Sequence, residues 1–291
     1  MKSPSEPAVD PAVDRYADAP TWLAGMWRRQ SIRFPDGTED RTTQVHWGQT
    51  RRLYVDLRIP QGRPAAGGRR SLSDFTLPEL CQLAEQKGFA GHILMENGAC
   101  SWVRYIDYRP DTGRLDAGRL RLDGDTLYEE GDLDSVLASA YQEIYRRERS
   151  GSSLSVALRL IAHEPSAVAG FDWTGAVLVL IDDCFLFARP RRMALPRAET
   201  LRELVEAAAN DRALVHAYLD CELSLGRHGG PWQVEESTLP FREGGSAWDG
   251  SETRLMENGA SLLQENGLGR FRWRIVESSE PVDRLPSLID R

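Results

Sequence analysis

The stretch Thr21-Trp22-Leu23-Ala24-Gly25-Met26-Trp27-Arg28-Arg29 follows a polar, proline-rich leader and opens a long run of strand-like segments. A glycine two residues before a tryptophan, at the entry to the first strand, suits a chain that turns sharply and then plugs the base of a β-barrel. Glycine permits the tight backbone, and the indole supplies a large buried plate that needs one polar partner. Taken alone, Gly25-x-Trp27 is a short pattern that an ordinary core tryptophan would also satisfy. The segments around it decide between the two.

Those segments read as strands. Trp27 to Phe34 runs into the turn signal Pro35-Asp36-Gly37-Thr38. In Thr42 to Gln49, the residues Thr43, Val45, Trp47 and Gln49 share one face, with Gln44, His46 and Gly48 on the other. Arg52 to Pro60 sets Leu53, Val55, Leu57 and Ile59 against Tyr54, Asp56 and Arg58, which predicts a half-buried antiparallel strand. A Gly/Pro/Arg loop (61–72) precedes a short helix opening at Thr76-Leu77-Pro78 and ending at Lys87-Gly88. Strands resume over Ala90 to Met95 and Ser101 to Tyr108. Turn signals follow at Asp111-Thr112-Gly113, Asp123-Gly124-Asp125 and Glu130-Gly131-Asp132, at about the 8–12-residue spacing of up-and-down β proteins. Tyr141 to Glu148 reads as a closing strand.

After Ser150-Gly151-Ser152-Ser153 the same order returns. Cys184 to Pro190 matches Arg52 to Pro60 in character: an apolar strand, an arginine, a proline. A helix follows again from Glu199 to about Ala209. Pro231-Trp232-Gln233-Val234 falls where Trp102 fell, Leu262 to Gly267 echoes Leu127 to Gly131, and Phe271 to Val276 echoes the Tyr141 segment. The spacing between echoes is 130 residues at Trp102/Trp232 and 136 at Gly131/Gly267. Repetition in fixed order is the mark of an internal repeat. The expected fold is therefore mainly β: two antiparallel β-barrel domains from an internal duplication, each with one short inserted helix. The expected boundaries are a disordered leader (1–19), a first barrel (20–150), a second barrel (151–278) and a C-terminal tail (279–291).

Composition narrows the functional classes. With 41% apolar and 27% charged residues the chain is an ordinary globular protein, and no apolar run approaches the roughly 18 residues of a membrane span. The start, Met1 to Pro7, lacks the apolar core of a secretory signal, so a cytoplasmic location is expected. A net charge of −8 argues against nucleic acid as a general partner. Cys81, Cys100, Cys184 and Cys221 are scattered without zinc spacing and read as reduced, buried residues, a Cys100–Cys221 disulfide being the alternative.

Gly25-x-Trp27 with arginines in the closing strand (Arg146, Arg147) resembles the calycin superfamily, which includes the lipocalins. The resemblance implies a tryptophan packed at the barrel base under an arginine of the last strand. A cation over an indole is the physical reason for pairing these residue types. More specifically, the chain is similar to the double-barrel family typified by the fungal Hri-type protein and its uncharacterised bacterial relatives. The stretches that carry this are Gly25 to Arg29, Val45 to Gln49, Val55 to Pro60, Trp102 to Tyr108, Asp220 to Gly226 and Ser237 to Gly244. The resemblance spans about residues 22 to 276 and implies two lipocalin-like barrels, without a reaction. The second half departs from the pattern: Gly170-Phe171-Asp172-Trp173 has the wrong spacing for a second Gly-x-Trp.

No P-loop, G-x-G-x-x-G, G-x-S-x-G or H-E-x-x-H motif is present, and the five histidines are dispersed, so neither a cofactor nor a metal is expected. Two arrangements remain open for the polar residues of the first barrel. Asp56/Arg58 and Trp102/Arg104 could form an outer-face salt-bridge ladder. Alternatively Trp47 and Trp102 form an aromatic wall, with Gln49 and Arg104 as polar anchors for an organic ligand. In the second half Asp220, Glu222 and Ser224 share a face, and an inward-facing Glu222 would be a buried carboxylate suited to acid–base work. Two functions follow. One is a binding module for a small apolar or aromatic ligand, or for a protein partner. The other is a cofactor-independent isomerase, cyclase or hydratase, with Asp56, Glu222 or His46 moving the proton.

Overall fold

Gly25 starts the first strand at φ +138°, and a Cβ there would stand 2.4 Å from the Arg149 carbonyl oxygen, so only glycine fits. The computed structural model describes residues 18–114, 116–131, 141–166, 174–248 and 252–290. The leader up to residue 17 and the Gly170 to Trp173 stretch lie outside the described residues. The first sheet comprises β1 (Gly25–Arg33), β2 (Glu39–Asp40), β3 (Gln44–Gln49), β4 (Tyr54–Ile59), β5 (Lys87–Glu96), β6 (Ala99–Asp107), β7 (Ala117–Asp123), β8 (Thr126–Gly131) and β9 (Gln142–Arg149), with α1 (Leu77–Leu83) between β4 and β5. Its strands pair antiparallel in chain order from β3 onward. β1 pairs with both β3 and β9, closing an eight-stranded barrel that β2 extends at one corner.

The base of this barrel is sealed as the resemblance implies. Trp27 is fully buried, its Nε1–H donates to the Leu23 carbonyl at 2.8 Å, and the Arg147 guanidinium stands 4.3 Å over its ring. Arg147 also donates to the Ala24 and Trp22 carbonyls at 2.9 and 2.7 Å, tying the entry turn to β9. Arg146, the other candidate, carries no such contact.

The second sheet comprises β10 (Ser155–Pro165), β11 (Val177–Ile181), β12 (Cys184–Arg189), β13 (Glu222–Arg227), β14 (Gln233–Ser237), β15 (Glu252–Leu255), β16 (Ser261–Asn266) and β17 (Gly269–Ser278). Its order is β14-β13-β12-β11-β10-β17-β16-β15, antiparallel throughout. The first and last strands of this half, β10 and β17, pair as β1 and β9 do. Among the described residues no pairing joins β14 to β15, so this sheet stays open there. Two helices, α2 (Leu201–Ala207) and α3 (Arg212–Leu219), stand between β12 and β13 where a single one was expected. Thr200 and Asp211 each cap a separate N-terminus, accepting from Glu203 N and Leu214 N. The expected tail is also structured: α4 (Leu285–Ile289) buries Leu285 and Ile289, and Asp290 accepts from Thr253 N at 2.8 Å. Glu130 and Gly131, expected in a turn, belong to β8.

The alternation in β4 has a different meaning from the one expected. Both of its faces are covered. Leu53, Val55, Leu57 and Ile59 join Val177, Val179, Leu186, Ala188, Leu223 and Leu225 in one core between the two sheets. Tyr54, Asp56 and Arg58 therefore point into the barrel. Gly48 lets the sheets approach: a Cβ there would sit 2.5 Å from Leu186 Cδ1 and 3.1 Å from Met26 Sδ. Gly48→Val is expected to cost about 1–3 kcal/mol by overpacking this seam, read as a lower urea midpoint. An unchanged midpoint would mean the seam is loose.

Candidate functional site

Each sheet wraps a cavity. In the first barrel, cross-strand register stacks the inward residues in rows. Trp47 stands opposite Asp56, and Asp56 opposite Phe89; Val45 stands opposite Arg58, and Arg58 opposite Lys87. The space left is about 290 Å³, walled by Trp47, Trp102, Phe89 and Tyr145 and otherwise mostly by charged groups. Trp47 meets Trp102 and Tyr145 edge-on, at 6.0 and 5.7 Å between ring centres.

The charges form a connected network. Arg58 donates from Nε to Asp56 Oδ1 at 2.7 Å and from Nη1 to Glu143 Oε1 at 3.0 Å. Arg29 reaches Glu143 Oε1 at 2.7 Å and Asp40 Oδ2 at 3.0 Å, and Tyr145 donates to Glu143 Oε2. Arg104 pairs with Asp107 and Asp116 and lies 3.9 Å over Phe89. Tyr141 donates to Glu129 at 2.6 Å. Burial raises the Asp56 carboxyl above its ordinary range, although Arg58 opposes this. Burial would raise Glu143 too, but Arg58 and Arg29 together outweigh it and hold that carboxyl low. The hydrogen bond from Tyr141 and the Arg58 charge lower Glu129 less than its surroundings raise it. Burial, reinforced by the Glu143 charge, puts it well above the carboxylate range and favours its protonated form.

The second cavity is larger and mostly apolar, about 510 Å³. Along β12 the inward row is Phe185, Phe187 and Arg189, so phenylalanines stand where the β4 row carries Tyr54 and Asp56. Three indoles form a box: Trp232 stacks on Trp248 at 5.3 Å, and Trp248 lies 5.7 Å from Trp273. Phe185 adds a ring 5.0 Å from Trp232. Trp273 Nε1–H donates to Gln264 at 2.8 Å, whereas the buried Nε1–H groups of Trp232 and Trp248 have no acceptor among the described residues. An orphaned buried donor costs about 1–3 kcal/mol. One end of the cavity is ionic. Glu222 accepts from Arg242 Nε at 3.1 Å and Ser224 Oγ at 3.0 Å and faces Arg189 Nε at 3.7 Å; Asp220 accepts from Arg189 at 2.6 Å.

These positions redistribute the residues singled out in the sequence. Asp56, Trp47, Trp102 and Arg104 come together around the first cavity. Gln49 does not line it; its amide is spent on Trp47 Nε1–H at 3.2 Å and the Thr50 carbonyl at 2.7 Å. Glu222 faces the second cavity. His46 lies on the outer side of β3, buried, with Nε2 3.5 Å from Glu236 Oε1. The outer-face ladder for Asp56 and Arg58 is overturned, because the second sheet covers the apolar face of β4 and turns the polar face inward. Trp248, Lys87, Arg109 and the Glu129–Tyr141 pair were not singled out in the sequence. Trp248 sits outside any strand, so no periodicity marks it.

No family model matches this chain, and no curated protein matches it. Among solved structures it is similar to a lipocalin-like protein from Bacteroides uniformis ATCC 8492, at 12% identity and a TM-score of 0.28, over 43% of this chain and 97% of that one. It is also similar to an uncharacterized protein from Bacteroides eggerthii DSM 20697, at 10% identity and a TM-score of 0.27, over 43% of this chain and 98% of that one. At such scores neither likeness carries an argument, and the barrel stands on its own strand pairing. All four cysteines are free and buried. Among the described residues no group of three or more His, Cys, Asp or Glu could hold a metal ion, and no helix is long and apolar enough to cross a membrane.

Proposed function

We propose that this chain is a small-molecule binding protein built from two lipocalin-like barrels, arisen by duplication as in the Hri-type family it resembles. Two features support the duplication: β10 to β17 repeat the cyclic strand order of β1 and β3 to β9, and helices enter after the third strand of each set. The ligand site is the second cavity. The observation that carries this is the indole box lining the cavity, Trp232, Trp248 and Trp273 with Phe185 beside them. A planar, largely apolar molecule would stack on Trp248. Proton-transfer chemistry has less support, since Asp56 and Glu222 are each held by arginine and His46 faces neither cavity.

Native mass spectrometry of gently purified protein should show a co-purifying organic mass. Indole fluorescence should respond to a panel of planar aromatic ligands. Trp248→Ala is expected to weaken the best of them about tenfold or more, which corresponds to about 1.4 kcal/mol or more of lost stacking. An empty protein with no fluorescence response to the panel would sink this reading.

A further inference from the structure

The first cavity carries a chemistry the second does not. Every carboxylate lining it has a partner: Asp56 and Glu143 are held by Arg58, Asp116 by Arg104, Glu129 by Tyr141 and Glu199 by Arg114. Two cations lining it have none. Among the described residues neither Lys87 nor Arg109 makes a side-chain hydrogen bond or an ion pair, although both line the cavity. They are close enough to feel each other. Desolvation by the barrel wall, with Arg109 and then Arg58 beside it, brings the Lys87 ammonium down to about 8, even though much of the residue is exposed. Arg109 is likewise lowered, by burial first. Glu143 acts back on Lys87, and Asp107 and Asp116 on Arg109, but they do not cancel the shift, and a further anion between the two cations would lower the cost of gathering them. Deeper in, Trp47 and Trp102, edge-on to each other, supply an apolar corner, and Phe89 carries the Arg104 guanidinium over its ring.

We propose that the first barrel binds a small aryl or alkyl carboxylate, its carboxylate between Lys87 and Arg109 and its apolar body against Trp102 and Trp47. A free volume of about 290 Å³ suits a one- or two-ring acid better than a long chain. This site is independent of the second cavity and stands whether or not that cavity binds a ligand.

The test is calorimetric titration of the full chain carrying Trp248→Ala, which removes the stacking ring of the second cavity, with 1-naphthoate and with 1-naphthamide as its neutral counterpart. Naphthoate should bind at least tenfold more tightly than the amide. The Lys87→Met/Arg109→Met double variant should lose at least tenfold in naphthoate affinity with its amide affinity unchanged. The charge-retaining pair Lys87→Arg/Arg109→Lys should keep most of it. Thermal melts confirm that each variant folds. Absent naphthoate binding, equal affinity for acid and amide, or retained affinity in the double methionine variant would each overturn the site. Loss of naphthoate binding in Trp248→Ala would place the acid in the other cavity and also overturn it. Inorganic phosphate should displace naphthoate only weakly; full displacement at equal concentration would show that the apolar corner takes no part.

Discussion

Replacing Trp27 by alanine is expected to cost about 3–5 kcal/mol, the range for removing a large aromatic from a packed core. The residue is fully buried, so its whole transfer energy is lost. Its cavity would open directly beneath Trp47, which pairs opposite it across β1 and β3. The loss then spreads. Arg147 would surrender its cation–π contact and face a void, while still tethered to the Trp22 and Ala24 carbonyls. Chemical denaturation read by circular dichroism measures the cost. Trp27→Phe, which keeps a ring under Arg147 but drops the Leu23 hydrogen bond, should recover more than half of it. A Trp27→Ala protein as stable as the parent would remove the tryptophan from its sealing role.

Arg58→Met is expected to cost a similar amount near neutral pH, about 3–5 kcal/mol, because it strands buried carboxylates. Among the described residues, Asp56 would lose the only guanidinium paired with it, and Glu143 would keep only Arg29. The pH dependence identifies the cause. In the parent, burial already raises Asp56 while Arg58 opposes it; without Arg58 the raised value rises further. A group whose folded value exceeds its unfolded value contributes stability below the unfolded value and loses it as the pH climbs. The penalty in Arg58→Met should therefore shrink toward acid, as Asp56 takes up a proton, and grow toward neutrality. Glu143 runs the opposite way in the parent: its depressed value stabilises the fold above the ordinary carboxylate range, and that contribution is lost as the pH falls through the folded value. Urea midpoints across the acid range separate the two. Arg58→Met/Asp56→Leu should recover part of the loss at neutral pH. A pH-independent penalty would mean that packing of the arginine stem, and not its charge, is what counts.

Much of the first barrel was legible because its signals are local. Gly25 marks a backbone that no side chain fits, and Pro35-Asp36-Gly37 marks a tight hairpin turn, with Gly37 at φ 85°. The clean alternation of β4 announced a strand. What alternation cannot say is which face meets water, and a row of Tyr, Asp and Arg looks solvated until a second sheet is found on the other side. The second half was harder. Val177–Ile181 is apolar throughout because both of its faces are covered, so it carries no period of two. Residues 212–219 form a helix that depends on the Asp211 cap and on burying Val215, Tyr218 and Leu219 under tertiary contacts. The indole box escaped because Trp232, Trp248 and Trp273 are far apart in the chain and converge only when the sheet curls.

The seam along β4 makes the two sheets inseparable as working parts. Leu53, Val55, Leu57 and Ile59 would become an exposed oily stripe on any fragment that ended near residue 150, and Val179, Leu186 and Leu223 would do the same for its complement. Neither half can be excised, swapped or tethered elsewhere as a free-standing cassette. The chain can be engineered inside its cavities, but it cannot be cut along the line that its repeated strand order suggests.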